Sequence, residues 1–228
     1  RQGKIKQLAI GDFQAQFGQG LTYWSGRAFG KSADIMLVKR SAQGLKAYTS
    51  VDESRFLRGG GVTFQWGEIE ATTFYSYNIE DANVNLIDSL SDNDEVLAVT
   101  SIQQTGLHRT ISEIEDKDVI TQQQFGGHLA YKTRAFSFGV TGIHSAINTD
   151  FTPGIQTYNQ FRNTERNQAK LGADYNCIFK NFNFFGEFSK NIAAGNAFVS
   201  GALITLDPKF SIAVLYRNYD RDFQPISS

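Results

Sequence analysis

Apolar and polar side chains alternate along many segments of about ten residues between Gly59 and Asn218. The clearest copy covers residues 168–190 and contains two such segments around a tight turn at 180–181. In its first segment the apolar side chains fall on one face, which carries Ala169, Leu171, Ala173, Tyr175, Cys177 and Phe179. The opposite face carries Lys170, Gly172, Asp174 and Asn176. A period of two over this length predicts β-strands, since a helix would scatter these residues around its circumference.

The same pattern predicts an all-β, antiparallel, up-and-down fold with about ten strands. Tight turns of two or three residues alternate with long polar connections, near 40–58, 80–123 and 146–167, and a further short strand is possible at 96–102. Short turns on one side and long loops on the other are typical of a transmembrane β-barrel of the bacterial outer membrane. The predicted strands are 8–17, 32–39, 59–66, 69–78, 124–133, 135–145, 168–179, 182–190, 196–206 and 209–218.

Strand direction adds a prediction about the ends of the chain. If the tight turns are periplasmic, strand 59–66 descends, strand 209–218 ascends, and counting backwards makes strand 8–17 descend as well. Both ends would then lie on the long-loop side, although an outer-membrane barrel normally ends in a descending strand. We therefore expect residues 1–228 to be one β-barrel domain that is an interior fragment of a larger barrel.

The composition agrees with this architecture. Mean hydropathy is −0.31 and no run of eighteen apolar residues occurs, so a transmembrane helix is excluded but a barrel is not, because its strands need apolar residues only at alternate positions. Nineteen Phe and nine Tyr fit aromatic-rich strand faces, and Trp66 beside a predicted turn fits an interfacial girdle. The net charge of −1 gives no reason to expect nucleic acid as a partner.

Alternation divides the strands into two faces. The predicted lipid-facing residues are Val62, Phe64, Leu129, Tyr131, Phe136, Phe138, Val140, Leu171, Tyr175, Phe184, Ile212 and Val214. The predicted lumen-lining residues are Thr63, Gln65, Lys132, Lys170, Asp174, Asn176, Glu187 and Arg217. Because both signs of charge occur in the second set, we expect no strong ion selectivity.

Candidate chemistry is sparse. One cysteine and three histidines without ligand spacing predict no metal site, and no spacing selects a nucleophile, a base and an orienting group. We therefore expect neither a catalytic residue nor a cofactor. The acidic run 88–95 offers oxygen ligands for calcium, but it lacks the glycine and distal glutamate of an EF-hand loop, so a solvated loop is the stronger interpretation.

Several stretches of the sequence are more informative than the alternation of apolar and polar residues. Residues 11–26 read GDFQAQFGQGLTYWSG, residues 28–32 read AFGKS, and residues 48–51, 55–59 and 216–219 read YTSV, RFLRG and YRNY. Together they resemble a family of outer-membrane β-barrels of Bacteroidota-type bacteria, whose members often carry helix-hairpin-helix repeats that this sequence lacks. The resemblance implies a fold and the outer membrane as location, but no activity of particular residues.

These observations support three functional hypotheses. The first is a porin-like barrel, or a barrel subunit of an envelope assembly, with the lipid bilayer and other envelope proteins as partners. The second is a scaffold in the outer membrane whose long loops bind partners. The third is a soluble secreted β-sandwich or barrel, whose apolar faces would meet in a central core. Alternation alone does not distinguish inside from outside.

Overall fold

The fold consists of two β-sheets. The structure, a computed structural model, describes residues 4–26, 35–50, 55–88, 95–103, 109–152 and 164–224. The main sheet has ten strands and a small sheet has three. The strands are β1 (Ile5–Gln16), β2 (Gly44–Ala47), β3 (Leu57–Trp66), β4 (Ile69–Glu80), β5 (Ala82–Asp88), β6 (Glu95–Ile102), β7 (Ile120–Lys132), β8 (Phe136–Ile147), β9 (Asp150–Phe151), β10 (Asn167–Phe179), β11 (Phe182–Asn191), β12 (Asn196–Asp207) and β13 (Phe210–Tyr219).

The main sheet is antiparallel and up-and-down, as predicted. Its order is β13-β12-β11-β10-β8-β7-β4-β3-β1-β2, so neighbours along the chain are mostly neighbours in space. Nine of the ten predicted strands are confirmed with small differences at their ends, and the additional strand at 96–102 is confirmed as β6. Among the described residues no pairing joins β2 to β13, so this sheet is not closed into a barrel by the contacts that the structure describes.

The predicted strand 32–39 is wrong in its described part. Ile35–Val38 forms a short 3₁₀ helix instead. Its four apolar residues are consecutive, so this segment lacks the alternation that defines the other strands. The strand of this region is β2, which lies within the predicted loop 40–58 and pairs with the end of β1.

Because residues 35–38 do not form a strand, β1 runs in the direction opposite to the predicted one. Ile5 lies opposite Phe64 and Phe13 lies opposite Leu57, so β1 is antiparallel to β3 and begins on the side of the tight turns. The prediction that β1 starts on the long-loop side is therefore wrong.

The predicted long connections contain structure of their own. Segment 80–123 holds β5, β6 and a short helix α1 (Ile111–Glu115), while segment 146–167 holds β9. Strands β5, β6 and β9 form the small sheet on the long-loop side, where Ala82, Val99 and Ile120 are buried together. Most of the acidic run 88–95 lies outside the described residues, so its interpretation as a solvated loop stays a prediction.

The main sheet is concave on one face. The Phe13 ring on β1 lies 6.2 Å from the Phe74 ring on β4, although β3 separates these strands. Phe17, just after β1, stacks at 4.8 Å on His128 of β7, which is three strands away. Three strand spacings on a flat sheet amount to about 14 Å. Side chains from separated strands meet because the sheet bends around them, and we call this concave side the inner face.

Candidate functional site

The outer face of the main sheet is apolar and exposed. Leu129, Phe138 and Leu171 are each about half exposed. Between the tight turns and the long-loop ends, Lys190 of β11 is the one charged residue among the described outer-face residues of β3, β4, β7, β8, β10, β11, β12 and β13. The exposed members include Ile69, Tyr75, Phe125, Leu129, Tyr131, Phe136, Phe138, Val140, Leu171, Phe184, Phe188, Ile212, Val214 and Tyr216. Val62, Phe64 and Tyr175 share this face but are less exposed.

Aromatic side chains line the outer face beside the tight turns. They form a row at the ends of successive hairpins, which we call the aromatic row: Trp66, Tyr131, Phe136, Phe179, Phe182 and Phe210. All except Phe182 are exposed. At the opposite end of the same face Arg58 binds Asp12 through two hydrogen bonds of 2.9 and 3.2 Å. The outer face is therefore an apolar band with aromatics at one margin, and with Lys190 and an ion pair toward the other.

The inner face carries hydrogen-bonded polar side chains. Thr63 and Thr72 are buried and share a hydrogen bond of 2.9 Å. Glu70 accepts a hydrogen bond of 2.6 Å from Lys132 and forms a second ion pair with Lys6. These contacts connect β1, β4 and β7 across the concave side, so the charged groups are paired with each other rather than left in an apolar environment.

A segment that follows β1 folds onto this inner face, and we call residues 17–26 the inner segment. Three of its backbone N–H groups, those of Gln19, Leu21 and Thr22, donate to the Glu187 carboxylate at 2.5, 3.0 and 2.7 Å. Glu187 lies on β11 and is buried. Gly18 and Gly20 adopt φ of +55° and +80°, a backbone conformation that favours glycine and turns the amides toward the carboxylate.

Aromatic contacts fix the two ends of the inner segment. Phe17 stacks on His128 and on Phe74, and its side chain is buried. The Tyr23 hydroxyl forms a hydrogen bond with the Gln124 side chain of β7, and the Tyr23 ring lies 5.3 Å from Phe74. The segment thus contacts β4, β7 and β11 at once and fills the space between them.

Close approach of the inner segment depends on glycine. An ideal Cβ on Gly172 of β10 would lie 2.9 Å from the Thr22 Cβ and closer still to its hydroxyl oxygen. An ideal Cβ on Gly18 would lie 2.7 Å from the Glu187 carboxylate. Real Cβ atoms essentially never approach so closely, and a Cβ on Gly172 would also lie 2.9 Å from the Phe188 carbonyl oxygen, so both the inner segment and β11 require glycine there.

Two other parts of the chain also lie on the inner face. Lys39, just after the 3₁₀ helix, donates a hydrogen bond of 2.5 Å to Asn176. Arg40 lies over the Trp24 ring. At the other end of the face the buried Lys170 donates to the Gln224 carbonyl and lies 4.3 Å from the Phe223 ring centre. Together with the inner segment, these residues fill the concave side at three levels.

The eight residues predicted from the sequence to line the lumen all lie on the inner face, although not at one site. Asp174 and Glu187 are close to the inner segment, whereas Lys170 contacts Gln224, Lys132 pairs with Glu70 and Asn176 binds Lys39. Arg217 lies opposite Val199 on the edge strand β13 and is exposed. Thr63 is buried on the same face, and Gln65 is exposed beside the turn.

The sequence did not indicate the partners of these residues. Glu187 and its donors are 165 to 168 positions apart, and Tyr23 and Gln124 are 101 apart. No local spacing in the sequence indicates contacts between residues so far apart, because only the folded sheet brings them together. The glycine-rich stretch GQG at 18–20 was the one available signal of an unusual backbone.

His128 has the arrangement of a structural residue rather than of a general base. Its Nδ1 lies 2.8 Å from the Thr141 hydroxyl and 3.9 Å from Asp174, so the hydroxyl and the carboxylate approach the same ring nitrogen. A catalytic triad places them at opposite nitrogens. In the described residues no group of three or more His, Cys, Asp or Glu side chains could hold a metal ion.

Comparisons of the chain with protein-family models, with curated proteins and with solved structures find no match.

Proposed function

We propose that this protein is a β-barrel protein of the bacterial outer membrane without a catalytic role, in which the outer face of the main sheet contacts lipid. The main observation that supports this proposal is the exposed apolar outer face. Roughly twenty large apolar side chains, each leaving about 100 Å² uncovered, add up to a patch on the order of 2,000 Å². The largest apolar patch on a typical soluble monomer is only about 300–600 Å².

The dimensions of the strands also support membrane insertion. A strand of ten residues, such as β3, is about 33 Å long and crosses about 25 Å when tilted by about 40°. This matches the apolar band of outer-membrane barrels. The aromatic row suits the aromatic girdle that outer-membrane barrels carry at the membrane interface, and its Trp66 and Tyr131 have the amphipathic rings that are enriched at headgroup depth. The soluble alternative is less well supported, because it requires the exposed apolar residues to meet in a core.

The outer membrane is proposed as the location for two reasons. Tight turns lie on one side of the main sheet and the small sheet on the other, an asymmetry typical of outer-membrane barrels. The resemblance of residues 11–26 to barrels of Bacteroidota-type bacteria points the same way. Other envelope proteins would then meet the small sheet or the long connections on the outer side.

Among barrel functions, a scaffold or an assembly subunit is better supported than an open porin. The inner segment, residues 35–40 and the contact of Lys170 with Gln224 fill the concave side. An open diffusion pore requires a continuous water-filled path. We therefore propose a barrel that is closed at rest and acts as a membrane-embedded scaffold.

The two tryptophans provide a direct test. Trp66 belongs to the aromatic row, whereas Trp24 lies in the inner segment. The protein is folded into vesicles that contain lipids brominated near the headgroup, using Trp24→Phe to observe Trp66 and Trp66→Phe to observe Trp24. We expect strong quenching of Trp66 and little quenching of Trp24, because bromine quenches only rings that it contacts. Equal quenching of both, or no quenching of Trp66, would contradict insertion in this orientation.

A further inference from the structure

We propose that basic side chains at the tight-turn margin of the outer face bind the phosphate groups of anionic phospholipids in the periplasmic leaflet of the membrane. The inference rests on the proposed function, because it requires insertion with the tight turns toward the periplasm. It goes further by naming the lipid chemistry that this margin recognises. We call these side chains the basic collar: Lys4, Arg134, Lys180 and Lys209.

The basic collar follows the aromatic row. Arg134, Lys180 and Lys209 lie in the turns of the β7–β8, β10–β11 and β12–β13 hairpins. Lys4 precedes β1, and its carbonyl accepts a hydrogen bond of 2.7 Å from the backbone N–H of Gln65, so it lies beside the β3–β4 hairpin. A cation therefore accompanies each of the four tight hairpins of the main sheet.

The cations of the collar are available to a ligand. All four side chains are exposed, and none forms an ion pair with a described residue. The described part of this margin has only two exposed carboxylates, those of Glu68 and Asp207. The Asp207 carboxylate accepts a hydrogen bond of 3.0 Å from the backbone N–H of Lys209, so it closes the turn. The margin thus carries positive charge that its own residues do not neutralise.

Lys180 shows how a collar side chain is placed. Its Nζ lies 5.4 Å from the centre of the Phe179 ring, which belongs to the aromatic row. The aliphatic stem therefore runs beside the apolar band while the charge stays at its margin, as long basic side chains do at membrane interfaces. The φ of Lys180 is +51°, a conformation for which two-residue hairpin turns favour Asn or Gly. The turn itself therefore does not require a lysine at this position.

Phospholipid phosphate is the anion that fits this arrangement. Lys and Arg donate charge-assisted hydrogen bonds to phosphate oxygens, and the headgroups lie at the depth of an aromatic girdle. Neighbouring hairpins of the sheet are about two strand spacings apart, or ~10 Å, so each cation meets the phosphate of a different lipid. We expect phosphatidylglycerol to be preferred over phosphatidylcholine, because the choline cation of the latter is repelled by the collar.

Lys180 and Lys190 provide a matched pair for the test. Both are exposed lysines, but Lys180 lies in the tight turn before β11 and Lys190 lies near the long-loop end of that strand. Phe179→Trp, in a chain that also carries Trp24→Phe and Trp66→Phe, places a single tryptophan at the collar. This protein is folded into phosphatidylcholine vesicles, and its quenching is measured with phosphatidylglycerol or phosphatidylcholine brominated near the headgroup.

We expect brominated phosphatidylglycerol to reach half-maximal quenching at about one-fifth of the membrane fraction that brominated phosphatidylcholine requires, since a single basic side chain near an anionic surface gives a preference of about fivefold. Lys180→Gln should remove most of this preference. Lys190→Gln should leave it unchanged, although both variants alter the net charge equally. Raising the salt concentration from about 0.05 M to about 1 M should weaken the preference, because salt screens exposed charges.

The outcomes separate the collar from membrane insertion. Equal quenching by the two brominated lipids, or an equal loss of preference in Lys180→Gln and Lys190→Gln, would overturn the collar while still showing insertion. Absence of quenching by either lipid would contradict insertion, and the collar with it. If Phe179→Trp does not fold, Phe210→Trp beside Lys209 takes its place, with Lys209→Gln as the charge-removing variant.

Discussion

The two faces of the main sheet follow the same alternation but differ in how their residues are specified. The outer face needs only apolar character, and its side chains make few directed contacts. The inner face depends on particular pairs, such as Glu70 with Lys132 and Glu187 with three backbone amides. The comparison teaches that the outer face supports the proposed membrane location, whereas the specific contacts that a function could use lie on the inner face.

The largest expected difference between the faces concerns phenylalanine. Phe13 is fully buried on the inner face, whereas Phe138 is about half exposed on the outer face. We expect Phe13→Ala to lower the free energy of unfolding by about 3–5 kcal/mol, because a cavity remains. Phe138→Ala should cost about 1–2 kcal/mol, since lipid can fill the space. Urea unfolding in vesicles measures both, and equal losses would remove the distinction between the faces.

A charge on the outer face tests whether that face lies in lipid. Phe125 and Thr121 share strand β7 and the outer face, but Phe125 lies near the middle of the strand and Thr121 at its long-loop end. Phe125→Arg should lower the free energy of unfolding in vesicles by about 2–4 kcal/mol, and Thr121→Arg by about 0–1 kcal/mol. A depth-independent effect would show that the outer face contacts water.

The ion pairs of the two faces provide a finer comparison. Glu70→Ala leaves Lys6 and Lys132 on the inner face without their shared carboxylate, and we expect a loss of about 1–3 kcal/mol. Asp12→Ala removes the exposed partner of Arg58 and should cost less than about 1 kcal/mol. The control is the double variant Asp12→Ala with Arg58→Ala, which should match Asp12→Ala. A larger loss at Asp12 than at Glu70 would reverse the ranking.

The smallest expected effect lies outside both faces. The guanidinium of Arg166 donates two hydrogen bonds to Asp150 in the small sheet and holds the pKa of that carboxyl below its ordinary value. A lowered carboxyl pKa adds stability above the unfolded-state value of about 3.9, and this contribution is lost as pH falls through the folded-state value. An NMR titration of the Asp150 carboxyl should show the lowered pKa, and Arg166→Gln should return it toward normal. A midpoint unaffected by Arg166→Gln would contradict the assigned cause.

The sequence predicted the outer face better than the inner one for a physical reason. Alternation is a local property, so it located nine strands and assigned Leu129, Phe138 and Val140 to one face correctly. The run Ile35–Val38 has no alternation, and its misassignment reversed β1. Similarly, Glu187 could be placed on the polar face, but its binding to the inner segment arises from positions that only the folded sheet brings together.

The long separation between Glu187 and the inner segment has a consequence for the order of folding. Hairpins such as β10–β11 close over two residues, whereas the inner segment reaches its acceptor only across more than 160 positions. Contacts this distant in sequence form slowly, because the intervening chain must first be ordered. Residues 17–26 are synthesised well before β11, yet we expect them to reach their native position only after β11 has joined the sheet.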